Sequence, residues 1–316
     1  MNTKIQKSDT KAIATKMDAK KVEELIDNFL ASQDIRESSK GLYKRTLRQY
    51  FNWVSRSGYD LSKMARPQIL EYKEYLLREG LSSLTVGSYI TSVRRLYDWL
   101  EGNKIYPNIA RGIKTPFRRQ QFRKQALTPG QATDLLNYYK GKALRDYAIV
   151  NLLLRTGLRT IEVSRANIED ITYKGNQRVL LIWGKGRDEK DDFVILTDSC
   201  YEPIKRYLKS RGRVKSTEPL FVSNSNNNKG KRLSTRTISY IAKEGLKAIG
   251  LDSRVFTAHS LRHTTAVSIL RAGGSLETAQ STLRHTNPAT TQIYTATIKE
   301  EMRLQNSGEA LIDKIY

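Results

Sequence analysis

Apolar residues recur with a helical period along the first hundred positions. Val86, Ile90, Val93, Tyr97 and Leu100 stand at i, i+4, i+7, i+11 and i+14, which is one face of one helix. Tyr43, Leu47, Tyr50, Phe51 and Val54 repeat the pattern one helix earlier, and Lys44, Arg45 and Arg48 flank that stripe as either a solvated face or a phosphate-facing one. Pro67 suits a first helical turn and Gly80 suits a stop. With a further segment near 22–31, the spacing predicts about four short helices bundled over residues 20–107.

The pattern breaks at NIARGIKTPFRRQQFRK, residues 108–124, which hold six basic residues and no acid. That composition marks an interdomain linker, either plainly exposed or laid along a polyanion. A second unit, 125–316, opens on Thr128 as an N-cap with Pro129 behind it. LRDYAIVNLLLRTG is a strongly apolar helix ending at Gly157. RVLLIW (178–183) and DFVILT (192–197) are β-rich runs joined by GKGRDEKD, a hairpin pattern. SNSNNNKGK (223–231) is a polar loop, followed by helices near 234–249, 258–272 and 275–284 and a weaker helical pattern in the last twenty residues. The predicted fold class is mostly α: an N-terminal helical bundle, then a mixed α/β domain with a small antiparallel sheet.

Charge narrows the function. The 316 residues carry 55 Lys and Arg against 32 Asp and Glu, a net +23. Such self-repulsion is offset where a polyanion is bound and counterions are released, which points to nucleic acid. A membrane is not expected, because no run approaches the ~18 apolar residues of a spanning helix. The single cysteine, Cys200, excludes an internal disulfide and a cysteine-rich zinc site. Residues 1–19 read as a basic, flexible leader without the apolar core of a signal peptide, so the expected location is cytoplasmic.

Four segments carry candidate chemistry. In HSLRHTTAV, His259, Arg262 and His263 share one helix face. The face could hold an anion, or it could be an ordinary polar face. A three-His zinc site with His285 is the third reading, weakened by Arg262 beside the metal position and by the lack of a Glu placed as general base. In TGLRTIEVSRA, Gly157 ends one helix and Arg159 begins the next, where backbone N–H groups favour anions and Glu162 can hold the guanidinium. In WGKGRDEK, Lys185 stands at a hairpin tip. This is no phosphate-cradling loop, since Val179 occupies the required glycine position and Gly186 the required Ser or Thr. In HTNPATTQIYTA, Tyr294 follows His285 by nine residues. A phenol with its ordinary pKa of about 10 is a poor nucleophile unaided. Attack on a phosphodiester also needs cationic donors on the non-bridging oxygens, a proton acceptor for the phenol and an acid for the leaving oxygen.

The order Arg159, Lys185, His259-x-x-Arg262, His285, Tyr294 resembles the tyrosine recombinases, the family of Xer recombinases and phage or transposon integrases. TGLRTIE looks like the first-arginine motif, WGKGRDEK the β-hairpin lysine motif, HSLRH the HxxR box and LRHTNPATTQIYTA the final box. The likeness spans roughly residues 20–305. It implies a SAM-like core-binding bundle and a catalytic domain with a C-terminal tail, near 300–316, that docks on a neighbouring subunit. It also implies site-specific strand exchange on double-stranded DNA by a homo-tetramer on two sites, with no cofactor and no metal. Tyr294 would form a 3′-phosphotyrosyl link, Arg159 and Arg262 would clamp the phosphate, Lys185 would protonate the leaving 5′-oxygen, and His285 and His259 would serve the proton transfers. Two such rounds pass through a Holliday junction. A partner recombinase or directionality factor belongs to the same expectation. The alternative is relaxation of supercoils by a type IB topoisomerase with the same residue types. The short leader suits the Xer-like design. One departure stands out: Arg284 precedes the last histidine, where many members have glycine, and it would either tighten phosphate contacts or crowd the pocket.

Overall fold

The computed structural model describes residues 19–117, 125–183 and 190–285, together with Tyr294, Ile298, Arg303, 308–313 and Ile315. The leader, the second part of the 108–124 linker, Lys185 with its hairpin tip, and most of the C-terminal tail lie outside these residues. The chain divides into two compact units, Met1–Gln120 and Gln121–Tyr316.

The first unit is a bundle of α1 (Ala19–Ala31), α2 (Glu37–Arg56), α3 (Arg66–Arg78) and α4 (Ser83–Gly102). The periodic residues are its core: Leu47, Tyr50, Val54, Val86, Ile90 and Val93 are fully buried. Pro67 falls in the first turn of α3 and Gly80 takes φ +73° just past its end. Ser82 caps α4 by accepting the Thr85 N–H at 3.2 Å. Two polar pairs tie α2 to α4 inside the core, Thr46 Oγ1 donating to Ser92 Oγ at 2.7 Å and the Tyr50 and Tyr97 hydroxyls 2.9 Å apart.

The second unit begins with α5 (Pro129–Tyr139), α6 (Leu144–Thr156) and α7 (Thr160–Arg165). Thr128 accepts the Gln131 N–H at 3.2 Å while the Gln131 side chain returns to the Thr128 N–H at 3.0 Å, so both groups at the start of α5 are satisfied. A three-stranded antiparallel sheet follows, β1 (Ile171–Lys174), β2 (Gln177–Ile182) and β3 (Asp192–Ile195), in the order β1-β2-β3. Its register sets Ile171 opposite Leu180 and Leu181 opposite Phe193. The hydrophobic runs predicted β2 and β3. They missed β1, four residues with two exposed, and also the helix α8 (Asp198–Ser210). Helices α9 (Thr235–Ala248), α10 (Ala258–Arg271) and α11 (Leu276–Leu283) complete the domain, with a short α12 (Gly308–Ile312) in the tail.

Helix α6 is apolar on nearly every side because it is packed on nearly every side, against α5, α8, α9 and α10. At its end Gly157 turns left-handed, φ +60°. A Cβ there would come within 2.5 Å of Leu283 Cδ2 and 3.4 Å of Thr265. The glycine therefore serves twice, in the turn and in the close approach that brings the end of α6 against α10 and α11. Arg159, two residues on, is thereby delivered to the same place as Arg262 and the end of α11.

Candidate active site

Arg159 is the N-cap residue of α7. Its own Glu162, three residues on and 1% exposed, accepts the Arg159 backbone N–H at 2.7 Å on Oε2 and the guanidinium Nη1 at 2.8 Å on Oε1. One carboxylate thus caps the helix and orients the arginine, which stays 30% exposed.

Arg262 projects from α10 and is 2% exposed. Its two Nη atoms donate to the carbonyls of Gly157 and Leu283, which close α6 and α11. Carbonyls at helix ends are partly negative and lack intrahelical donors, so a cation there satisfies two chain ends at once. Burial first, then the charges of Arg159 and Arg284, push the guanidinium down to about 9, so it remains a cation at neutral pH. Its five N–H donors leave capacity for an anion after the two carbonyls are served.

Arg159, His259 and Arg262 line one groove of about 1220 Å³. Its far wall is a face of α9, Arg236, Ser239, Tyr240 and Lys243, with Arg254 beside it. Tyr240 is 62% exposed there. The sequence reading overlooked this face. Its signal is the spacing i, i+3, i+4, i+7 of basic and polar residues on the side of α9 opposite its buried Ile238, Ile241 and Ala242.

Tyr294 is absent from the groove lining. It is 1% exposed, in a small cluster with Ala266, Val267, Leu283 and Ile298. Two imidazoles flank it: His263 at 4.7 Å between ring centroids and His285 at 6.2 Å, nearly parallel. Burial raises the phenol above its ordinary 10, while Arg262 and Arg159 pull it back. Of the six candidate residues, the structure sets Arg159, His259 and Arg262 on one groove and stacks His285 with Tyr294, both within the influence of the Arg262 and Arg159 charges. Lys185, the sixth, lies outside the described residues. Among the described residues, no three His, Cys, Asp or Glu side chains gather where a metal could be held.

His285 owes its place to Gln280, another residue the sequence reading passed over. The Gln280 carbonyl accepts the His285 N–H at 3.1 Å, and its side-chain amide donates to the His285 carbonyl at 3.1 Å. With Arg284 N–H donating to Ser281 at 2.9 Å, this is a left-handed helix stop with Arg284 at φ +55°, ψ +49°. For a side chain other than glycine that conformation costs on the order of 1 kcal/mol. Arg284 turns inward and is 8% exposed.

Both inner histidines are held neutral. Burial, then the charge of His259, pushes His263 down to about 4; burial, then Arg262, Arg159, His259 and Arg284, does the same for His285. In the unfolded chain each titrates near 6.5. Below that pH the unfolded state binds protons that the native state refuses. Stability is expected to fall from pH 6.5 to about 4, by up to about 1.4 kcal/mol per pH unit for the buried His263 and by less for the partly solvated His285, and to be insensitive to these groups above it. Urea midpoints of wild type and His263→Gln across this range check the sign: the variant should lose part of the slope, and parallel curves would contradict the assignment.

On the first unit, Lys44 and Arg48 were equally readable as a solvated face or a phosphate-facing one. Both are paired with acids of α1: Arg48 Nε and Nη2 lie 2.6 and 2.7 Å from the two Glu23 oxygens, and Lys44 meets Asp27 and, at 3.6 Å, Glu23. A second groove, about 450 Å³, is edged by Arg45, Arg48 and Arg56 over Trp53 and Tyr75. Among the described residues, no helix is long and apolar enough to cross a membrane.

Comparison with known proteins places the chain in a family. The phage integrase family matches residues 125–301, and the N-terminal SAM-like domain of phage integrases matches residues 22–104. The chain belongs to the phage integrase family, the tyrosine recombinases of the Xer and integrase type. Among curated relatives, the tyrosine recombinase XerC of Caldanaerobacter subterraneus subsp. tengcongensis is 33% identical over 220 residues, 68% of this chain and 59% of that one. XerC of Pelobacter propionicus is 31% identical over 80% of this chain and 82% of its own length. XerD of Vibrio cholerae serotype O1 is 24% identical over 89% and 93%. Among solved structures, the XerH site-specific recombinase in its post-cleavage complex with palindromic difH substrate superposes with TM-score 0.70 at 21% identity, over 86% of this chain and 80% of that one. A lambda integrase dimer on a core site gives TM-score 0.64 at 15% identity, over 84% and 96%. These two likenesses concern the fold.

Proposed function

We propose that the protein cuts and rejoins double-stranded DNA at specific sites through a 3′-phosphotyrosyl intermediate formed by Tyr294. The observation that carries this reading is the shared groove of Arg159, His259 and Arg262, whose two arginine charges also act on the stacked His285 and Tyr294. The two guanidiniums neutralise the non-bridging oxygens of the scissile phosphate as charge builds in the transition state. The Tyr294 oxygen attacks phosphorus, its proton passes to His285, and the P–O5′ bond breaks. Lys185 delivers a proton to the leaving 5′-oxygen, and His259 supports the phosphate. The 5′-hydroxyl of a second duplex then attacks the phosphotyrosine and frees the phenol. Two rounds pass through a Holliday junction, in a tetramer assembled on two sites. The bond energy stays in the ester, so the cycle consumes no nucleotide.

In the resting protein the phenol is poorly reactive, because burial raises its pKa. Attack requires it to reach the groove. That motion removes the burial and leaves the two arginines, so the step that exposes the nucleophile also activates it. A neutral His285 is ready to accept the proton. The opposing face of α9, with Arg236 and Tyr240, supplies phosphate and base contacts to the bound duplex, while Lys243 is held by the Ser253 and Phe256 carbonyls and Asp252. The groove of Arg45 and Arg56 does the same on the helical unit.

The test is a pool of nicked random-sequence duplexes incubated with the full chain in chelator, without nucleotide, and screened for protein–DNA adducts that survive SDS. An adduct mapped to Tyr294 and enriched for one sequence is expected. No adduct from the pool would overturn the reading. An adduct with no sequence preference, accompanied by relaxation of any supercoiled plasmid, would turn it into a topoisomerase.

A further inference from the structure

We propose that Arg284 is a positioning residue: its guanidinium, turned into the protein, braces Glu162 and so sets Arg159 and His285 on one rigid frame. The proposal rests on the strand-transfer reading of the site and assigns a task to a side chain that touches neither DNA nor nucleophile.

Arg284 is poorly placed to hold phosphate. Its Nη1 donates to the Thr282 carbonyl at 2.7 Å, its Nη2 to Glu162 Oε2 at 3.0 Å, and its Nε lies 3.9 Å from Asp192 Oδ2. All three nitrogens point inward, and the side chain is 8% exposed. It does not edge the groove that Arg159, His259 and Arg262 share. Nor does the backbone call for an arginine, since its left-handed conformation suits glycine better. What the side chain adds is its contact with Glu162.

That carboxylate is shared. Oε1 serves Arg159 Nη1, and Oε2 is divided between the Arg159 backbone N–H and Arg284 Nη2. Among the described residues, Glu162 takes only the Nη1 edge of Arg159. The counter-pull of Arg284 keeps the carboxylate from closing over both edges, which leaves the rest of the Arg159 fork for an anion. The same arginine immediately precedes His285, whose backbone is held by Gln280. A displacement at the end of α11 is therefore passed to Arg159 through two charge-assisted bonds. Asp192, at the start of β3, adds only a 3.9 Å charge contact to Nε, which makes no hydrogen bond among the described residues.

Three variants test this, Arg284→Gly, Arg284→Met and Arg284→Lys, on a nicked duplex selected from the random pool by the wild-type protein. Single-turnover adduct formation should slow about 10- to 100-fold in the Gly and Met variants, the scale of a small misplacement of a catalytic group. DNA affinity should stay within about twofold of wild type, because no phosphate contact is lost. Lys should restore part of the rate. In a Glu162→Gln background the Arg284→Gly change should add little, since both act through one bridge. Wild-type rates in the Gly or Met variant would overturn the proposal. So would loss of affinity in step with rate, or a full additive loss in the Gln background. The Gly variant relieves the backbone, so it decides if the Met variant misfolds; if both misfold, Arg284 is a structural residue and the proposal falls. Absence of adduct with the wild-type protein strikes instead at the strand-transfer reading.

Discussion

Tyr294→Phe protein is expected to bind its DNA site as tightly as wild type and to form no covalent adduct. The substitution removes one oxygen and leaves the ring. That ring fills a buried cluster with Ala266, Val267, Leu283 and Ile298 and lies against His263, and a phenyl group keeps these contacts. The stability change should be within about 1 kcal/mol, the scale of one hydroxyl's net contribution. The rate should fall by a factor of roughly 10⁴ or more, below detection, because the Phe ring lacks the oxygen that forms the proposed ester. Gel-shift affinity and SDS-resistant adduct, measured on one duplex, separate the two effects. An adduct surviving in the Phe variant would mean another nucleophile and would remove Tyr294 from the mechanism.

Replacing Arg262 should harm chemistry and fold together. Its Nη atoms are the donors for the Gly157 and Leu283 carbonyls, both buried at helix ends. Arg262→Ala strands those two acceptors and opens a cavity where α6, α10 and α11 meet. A loss of about 2–5 kcal/mol is expected, since each unsatisfied buried acceptor costs roughly 1–3 kcal/mol. Cleavage should fall about 10³-fold from the lost neutralisation of the phosphate. Arg262→Lys keeps a charge, but an ammonium lacks the fork that spans two carbonyls and an anion, so it should recover little of either. Arg159→Ala gives the contrast. Arg159 is 30% exposed, and its partner Glu162 retains Arg284, so activity should fall comparably with a smaller loss of stability. Denaturant midpoints and single-turnover adduct rates on the three proteins decide this. Equal stability of the two Ala variants would contradict the distinction between a guanidinium that joins helices and one that mainly meets substrate.

The burial of Tyr294 bears on control of strand exchange. A nucleophile that is both raised in pKa and shielded cannot attack adventitious phosphates between reactions. On the proposed reading, whatever brings it into the groove acts as the trigger.

Much of this was legible along the chain because the relevant forces are local. Helical period located α2 and α4, and Thr128 with Pro129 marked the start of α5. Gly157 announced the end of α6, and Glu162 three residues beyond Arg159 announced its partner. The order and spacing of the site residues also pointed to the chemistry. Four-residue β1, half exposed, has too little apolar pattern to declare itself, and it exists because β2 offers it an edge.

Tertiary structure alone decided which side chains would be hidden and which would share a partner. Nothing in HTNPATTQIYTA shows that its phenol is shut away, nor does HSLRH show its arginine bonded to the ends of two other helices. Arg284 read as a possible phosphate ligand or an obstruction until Glu162, 122 residues earlier, was seen to hold it. Lys44 and Arg48 looked available until α1 brought its acids across. In each case the deciding contact joins residues far apart in sequence. Burial and charge pairing depend on what else occupies the surrounding volume, and only the folded chain specifies that.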